Sequence, residues 1–400
     1  MRFAKLWRPV PLLAATVACI LALGACSAGS LGSNDEGGGT TLTFLVDNAD
    51  GSVKPAQALA EAFHAKNPDV TVQVQTRPGG SEGDNIVKTR LSTGEMTDVF
   101  LYNSGSLFQA LNPKQNLTPV TGEAWASQVE DVFKPVVSVD NELYGAPITG
   151  ASAGGILYNR KVYEKLGLQV PKTWAEFMAN NAKIKAAGID PVIQTYQDTW
   201  TSQLFVLADF HNVAAADPSW AEKYTAGQVK YAQEPAVKGF QRLEEVHKAG
   251  YENKNYRSMK FEAGVKLLAS GKGAHFPMLT FAVGVLASDP NLNDIGFFGQ
   301  PGDDASKAGM TIWMPAGLYI PKSTEGAQLE AAKKFVAFVA SPEGCDVQTK
   351  VYPPAGPYMV KGCELPAEAP QAIKDVVAYV EKGNITPALE FSSPIKGPAL

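Results

Sequence analysis

Thr41 to Asp47 (TLTFLVD) is a β-branched and aromatic run that predicts a first strand. Pro55 to Lys66 places apolar residues at Ala58, Leu59, Ala62 and Phe63, a helical stripe closed by Asn67-Pro68. Val70 to Gln75 alternates valine with polar residues, the pattern of a half-exposed strand. Asp84 to Thr93 returns to helical spacing through Ile86, Val87 and Leu91 and stops at Gly94, and Asp98 to Tyr102 is a short buried strand. Strand, helix, strand, helix, strand predicts a parallel α/β sheet.

Further along, the pattern predicts helices over Thr173–Ala187, Ser202–Phe210, Glu234–Ala249, Phe261–Ala269 and Ala327–Val339. Strands are predicted around Val192, Ala274–Met278 and Ile295–Phe298, and one more over the apolar run Trp313–Ile320. Thr173 with Glu176 three places later reads as a capping box after the break at Pro171. Between these, Pro147 to Gly155 is crowded with glycine and alanine where a buried strand would carry bulk. Such a run suits a tight strand against a helix, or a backbone that bends between two bodies.

The chain of 400 residues is long enough for two or three domains. A net charge of −5 without a basic block excludes a nucleic-acid footprint. Arg2, Lys5 and Arg8 precede an apolar stretch, Val10 to Gly24, too short to span a bilayer stably. The stretch ends Leu23-Gly24-Ala25-Cys26, which resembles a bacterial lipobox: residues 1–25 are expected as a leader and Cys26 as the lipid-bearing residue. Residues 26–40 then form a Gly/Ser linker; its last fourteen residues span roughly 20 Å as a coil. The expected location is the extracytoplasmic face of the cell membrane, held by lipid. In that oxidising compartment Cys345 and Cys363 are expected to bridge, worth about 3 kcal/mol, with two buried thiols as the alternative.

Catalytic signatures are missing from the pattern. The four histidines have no metal-ligand spacing, and no G-x-S-x-G elbow, Walker loop or dinucleotide fingerprint occurs. Adjacent carboxylates such as Glu244-Glu245 and Asp303-Asp304 suit a solvated face better than a scissile bond. No enzyme activity, metal or cofactor is expected.

The order of short segments resembles the extracellular sugar-binding proteins of ABC importers, the maltose-binding-protein-like family. The matching pieces include Leu42-Thr43-Phe44, Phe63 to Pro68, Thr97-Asp98-Val99-Phe100 and Leu143 to Pro147. They continue through Leu157 to Lys161, Pro171 to Trp174, Gly271 to Ala274 and Ser341 to Gly344. The resemblance implies an α/β, two-lobed periplasmic-binding-protein-like fold, with several hinge crossings and a ligand cleft between the lobes. It divides the chain into an N-terminal lobe, 41–150 plus about 307–350, and a C-terminal lobe, 151–306 plus about 351–400. Crossings are expected near 147–153, 306–311 and 351–356. The family runs on past the segment resembling Ile385 to Leu389 into a further helix; this sequence ends at Leu400, and no ligand contact is assigned to such a tail.

The implied function is a monomeric receptor that closes on a mono- or oligosaccharide and delivers it to ABC permease subunits. Aromatic faces cover the C–H faces of pyranose rings, and side-chain amides and carboxylates meet the hydroxyls. In parallel sheets ligands sit beyond the carboxyl ends of the strands, which makes Asp47, Asn48, Asn103 and Ser104 candidates from one lobe. From the other come Asp198, Trp200 and Phe281, with Trp313 from the late strand. Trp200 is the expected stacking platform, with a core anchor as its alternative; Trp174 and Trp220 read as structural. The rival functions are a receptor for a peptide, polyamine or osmolyte on the same scaffold, and a surface glycoside-acting enzyme using Asp47 with Asp198.

Overall fold

The computed structural model describes residues 39–395; the expected leader and Cys26 lie outside the described residues. Two main sheets contain, in chain order, β1 (Thr40–Asp47), β2 (Val70–Arg77), β3 (Val99–Tyr102), β4 (Gly145–Pro147), β5 (Ser152–Asn159) and β6 (Asp190–Val192). They continue with β7 (Gly273–Leu279), β8 (Ile295–Phe298), β9 (Met310–Trp313), β10 (Gly317–Tyr319) and β11 (Ile385–Pro387). Each sheet has its own apolar core, which makes two lobes.

The first sheet runs β2-β1-β3-β10-β4. β1 is parallel to both β2 and β3, as the alternating pattern predicts, and β10 is antiparallel to β3 and β4. Phe44 and Phe63 both meet Phe335 of the helix Gly326–Val339 edge-on, at 5.5 and 5.3 Å between ring centres, which seals one face. The helix expected from Pro55 begins earlier, at Asp50. Asp47 accounts for the extra turn: its carboxylate accepts from Ala49 N (3.0 Å) and Ser52 Oγ (2.7 Å), fixing the chain into the first turn.

The second sheet is organised on β5. β7 pairs along one edge of it, while β9 and β8 share the other, against 152–154 and 156–159 respectively. β6 adds in parallel to β7, and β11 in parallel to β9. The Thr173 capping box is present as expected, starting the helix Trp174–Ala186. The single helix expected over 202–210 is instead a 3-10 turn, Thr199–Gln203, then the helices Leu204–Ala208 and Phe210–Ala216. The break falls at Asp209, whose buried carboxylate accepts from Arg242 at 2.6 Å.

Three passages join the lobes. Ile148–Ala151 links β4 to β5, with Thr149 at φ 65°, a left-handed conformation uncommon for a β-branched residue, and its N–H held by Gln348 Oε1 at 2.9 Å. The apolar run Trp313–Ile320 is not one strand. β9 ends in the second sheet, β10 begins in the first, and Pro315, which has no N–H to donate to a ladder, lies between them. The crossing therefore falls at 314–316, beyond the expected 306–311.

The third passage is longer than expected. Ala355 O accepts from Thr280 Oγ1 of the second lobe, but Glu130 N of the first lobe reaches Met359 O at 3.0 Å and Val129 bridges to Val360. Cys345 and Cys363 are disulfide-bonded, with Cα atoms 6.0 Å apart. Residues 358–363 thus return to the first lobe before the chain leaves for the helix Gln371–Glu381, which packs in the second core.

Removing the disulfide by Cys345→Ser with Cys363→Ser frees a loop of sequence separation 18, and we expect a loss of about 3 kcal/mol in denaturant unfolding. A loss under about 1 kcal/mol would mean that the loop is ordered without the bridge.

His275 on β7 gives a second test. It is fully buried between Tyr163 OH at Nε2 (2.6 Å) and Asn181 Oδ1 at Nδ1 (2.9 Å). Burial pushes its pKa down to about 3 from an ordinary 6.5. Between those values the unfolded chain takes up a proton that the folded chain refuses, so this group's contribution is complete above pH 6.5 and declines as the pH falls. We expect His275→Gln to unfold with a shallower loss of stability between pH 6.5 and 4 than the wild type; equal slopes would contradict it.

Candidate ligand cleft

A cleft of about 1250 Å³ lies between the lobes and is lined from both sides. All eight residues expected at the site line this one cleft: Asp47, Asn48, Asn103, Ser104, Asp198, Trp200, Phe281 and Trp313. Their geometry separates those with side chains available to a ligand from those already engaged.

On the first lobe the carboxyl ends of β1 and β3 open into the cleft. Asn48 and Asn103 are exposed, and their side chains have no hydrogen-bond partner among the described residues, so both amides are available to hydroxyls. Asp47 accepts from the Ala49 amide and the Ser52 hydroxyl. Ser104 is buried and donates to Pro315 O at 2.8 Å, which ties the end of β3 to the 314–316 crossing.

On the second lobe Asp198 Oδ2 accepts from Phe261 N at 2.7 Å, holding the loop before the Thr199–Gln203 turn against the first residue of the helix Phe261–Ala269. That bond sets Trp200 beside Phe261. The Trp200 ring centre lies 5.3 Å from Phe261 and 6.0 Å from Phe281, and the two phenylalanines are 5.7 Å apart. Phe261 is buried, while Trp200 keeps 36% of its surface exposed. The cluster is a backed aromatic surface at the cleft wall. Trp313 is only 9% exposed and lies across Gly154, where a Cβ would sit 2.1 Å from its ring. The small-residue run seen in the sequence is thus the seat of a tryptophan.

Sequence reasoning missed Tyr352, Glu262, Lys266, Asp289, Glu390 and Phe391, which also line the cleft. Glu262 and Lys266 share the helix that Asp198 caps, so the polar residues on the helix after that loop were a usable signal. Burial, with Asp50 adding to it, pushes the Tyr352 hydroxyl up to about 12, leaving it protonated and able to donate.

The lining carries six carboxylates (Asp47, Asp50, Asp198, Glu262, Asp289, Glu390) against two ammonium groups (Lys54, Lys266), without arginine or histidine. Lys54 is paired with Asp50 at 2.8 Å. This balance gives little purchase to a phosphate or carboxylate ligand. No group of three or more His, Cys, Asp or Glu placed to hold a metal ion occurs among the described residues.

Trp200→Ala removes a half-exposed ring and should cost the fold about 1 kcal/mol, whereas Phe261→Ala opens the core behind it and should cost about 3 kcal/mol in thermal or denaturant unfolding. The reverse order would make Trp200 a core anchor.

Comparison with known proteins places this architecture. The family model described as bacterial extracellular solute-binding protein matches residues 49–344. The multiple sugar-binding protein of Streptococcus mutans is 24% identical over 331 residues, covering 80% of this chain and 75% of that protein. Among solved structures, the solute-binding protein RafE in complex with raffinose superimposes with a TM-score of 0.74 at 21% identity, covering 88% of this chain and 90% of the other. A chitin oligosaccharide binding protein superimposes with a TM-score of 0.75 at 21% identity, covering 90% and 91%.

Proposed function

The chain belongs to the bacterial extracellular solute-binding proteins, and on that premise we propose that it is a receptor which closes on an oligosaccharide and delivers it to the permease of an ABC transporter. The observation that carries this reading is the backed, half-exposed Trp200 surface in the same cleft as the unpartnered amides of Asn48 and Asn103. A pyranose presents an apolar C–H face and a rim of hydroxyls, and this cleft offers an aromatic face and hydroxyl partners. The cleft volume of about 1250 Å³ exceeds the roughly 300–1,000 Å³ that enclose a drug-sized ligand, which favours more than one sugar ring. The sugar ligands named for the similar proteins point the same way.

Hinge closure is the mode of binding in this reading, with the three passages between the sheets absorbing the motion. Lipidation at Cys26 would hold the receptor at the membrane and raise its local concentration at the permease. The receptor acts as a monomer and without a cofactor.

Two rivals are disfavoured by particular contacts. A quaternary ammonium or polyamine needs rings spread around a cation that sits within about 6 Å of each ring centre. Trp200, Phe261 and Phe281 pack against one another and leave no such space between them. A glycosidase needs a carboxylate pair available to the bond, whereas Asp47 and Asp198 already accept main-chain N–H groups on opposite lobes.

A thermal-shift screen of the mature protein against neutral oligosaccharides, amino acids and peptides tests the reading. A sugar present at 100 times its Kd should stabilise by about 2.7 kcal/mol. The shift should vanish in Trp200→Ala while the variant remains folded. A response to peptides alone would replace the sugar with a peptide ligand.

A further inference from the structure

The third passage places one aromatic ring between the lobes. Tyr352 follows the helix Pro342–Val351, which packs on the Asp50–Lys66 helix of the first lobe. Its ring edge lies against two glycines that belong to different lobes. Gly51 is in the first turn of the Asp50–Lys66 helix, and a Cβ there would lie 3.1 Å from the ring. Gly284 is in the 3-10 turn Thr280–Leu286, whose Ala282, Val283 and Leu286 are in the second core; a Cβ there would lie 2.2 Å from Cε1, Cζ and Oη. The same three atoms, Cε1, Cζ and the hydroxyl oxygen, are the nearest neighbours of both glycines. The ring thus sits where the two lobes come together, and the side-chain-free backbone at both positions lets it fit there.

We propose that Tyr352 is a positioning residue: a strut between Gly51 and Gly284 that sets how far the cleft closes and, through that, how tightly ligand is held. This rests on the hinge-closing reading above. The ring is half-buried at the cleft wall, and a planar ring wedged between two backbones acts as a spacer of its own thickness. A strut has a signature that an adhesive contact lacks. Taking it out lets the lobes come together, and thickening one of its seats drives them apart.

Small-angle scattering of the ligand-free mature protein reads this directly. Tyr352→Ala should reduce the radius of gyration, Gly284→Ala should increase it, and Tyr352→Phe, which keeps the ring but loses Oη, should shift it less than Tyr352→Ala does. Gly284 does not have a positive φ, so the backbone accepts alanine there. Unfolding midpoints of the three variants check that each one is folded. If Gly284→Ala lowers the closed population tenfold, its apparent sugar affinity falls about tenfold. Shifts of the same sign in Tyr352→Ala and Gly284→Ala, or no shift in either, would overturn the strut. Because the scattering needs no ligand, failure of every sugar to bind the wild type would instead remove the proposed function and leave the strut standing or falling on its own result.

Discussion

The passage between the two sheets depends on two backbones passing each other without side chains between them. A Cβ on Gly150 would lie 2.4 Å from Gly356 O, and one on Gly356 would lie 2.3 Å from Ala151 O. The same pair of segments is joined by Ala151 N donating to Pro357 O at 2.8 Å. Glycine is required here for close approach, since both residues lie outside the left-handed region. With the segments so close, the carboxyl ends of β1 and β3 face the Trp200 cluster across the cleft rather than across open solvent. Thr149, in the first of these segments, holds a left-handed conformation uncommon for a β-branched residue.

Local structure was largely legible in the sequence. The helix Phe261–Ala269 and the strand Ile295–Phe298 have the predicted limits, and the capping box of Thr173 and Glu176 is announced by two letters. Long-range assignment was not. Trp313 to Ile320 has the same apolar character throughout, and hydrophobicity alone does not say that its first part pairs with β5 and its second with β3. Only Pro315 marks the switch. The return of 358–363 to the first lobe depends on Val129 and Cys345, neither of which leaves a trace in the local pattern around Tyr358.

The cleft was legible where topology determines it. Strand ends of a parallel sheet identify Asp47, Asn48, Asn103 and Ser104 before any coordinates. What the sequence does not convey is how each side chain is engaged: Asp198 reaches an amide 63 residues away, and Ser104 a carbonyl 211 residues away. Tyr352 was passed over for a different reason. A tyrosine before two prolines reads as an ordinary loop residue, and its meaning comes from Gly51 and Gly284, which are distant in sequence and carry no side chain to signal a contact.

The division of each lobe between separate parts of the chain has a consequence for the order in which the protein can be made. β3 leaves Tyr102 with an open edge whose partner, β10, does not begin until Gly317, and the core around Phe44 waits for Phe335. β9 in turn waits for β11 at Ile385 before its own edge is covered. A ribosome reading this message cannot complete the first sheet before Tyr319 or the second before Pro387. An unpaired strand edge is a template for pairing with a second chain. The nascent protein thus carries an aggregation hazard until those late strands are made.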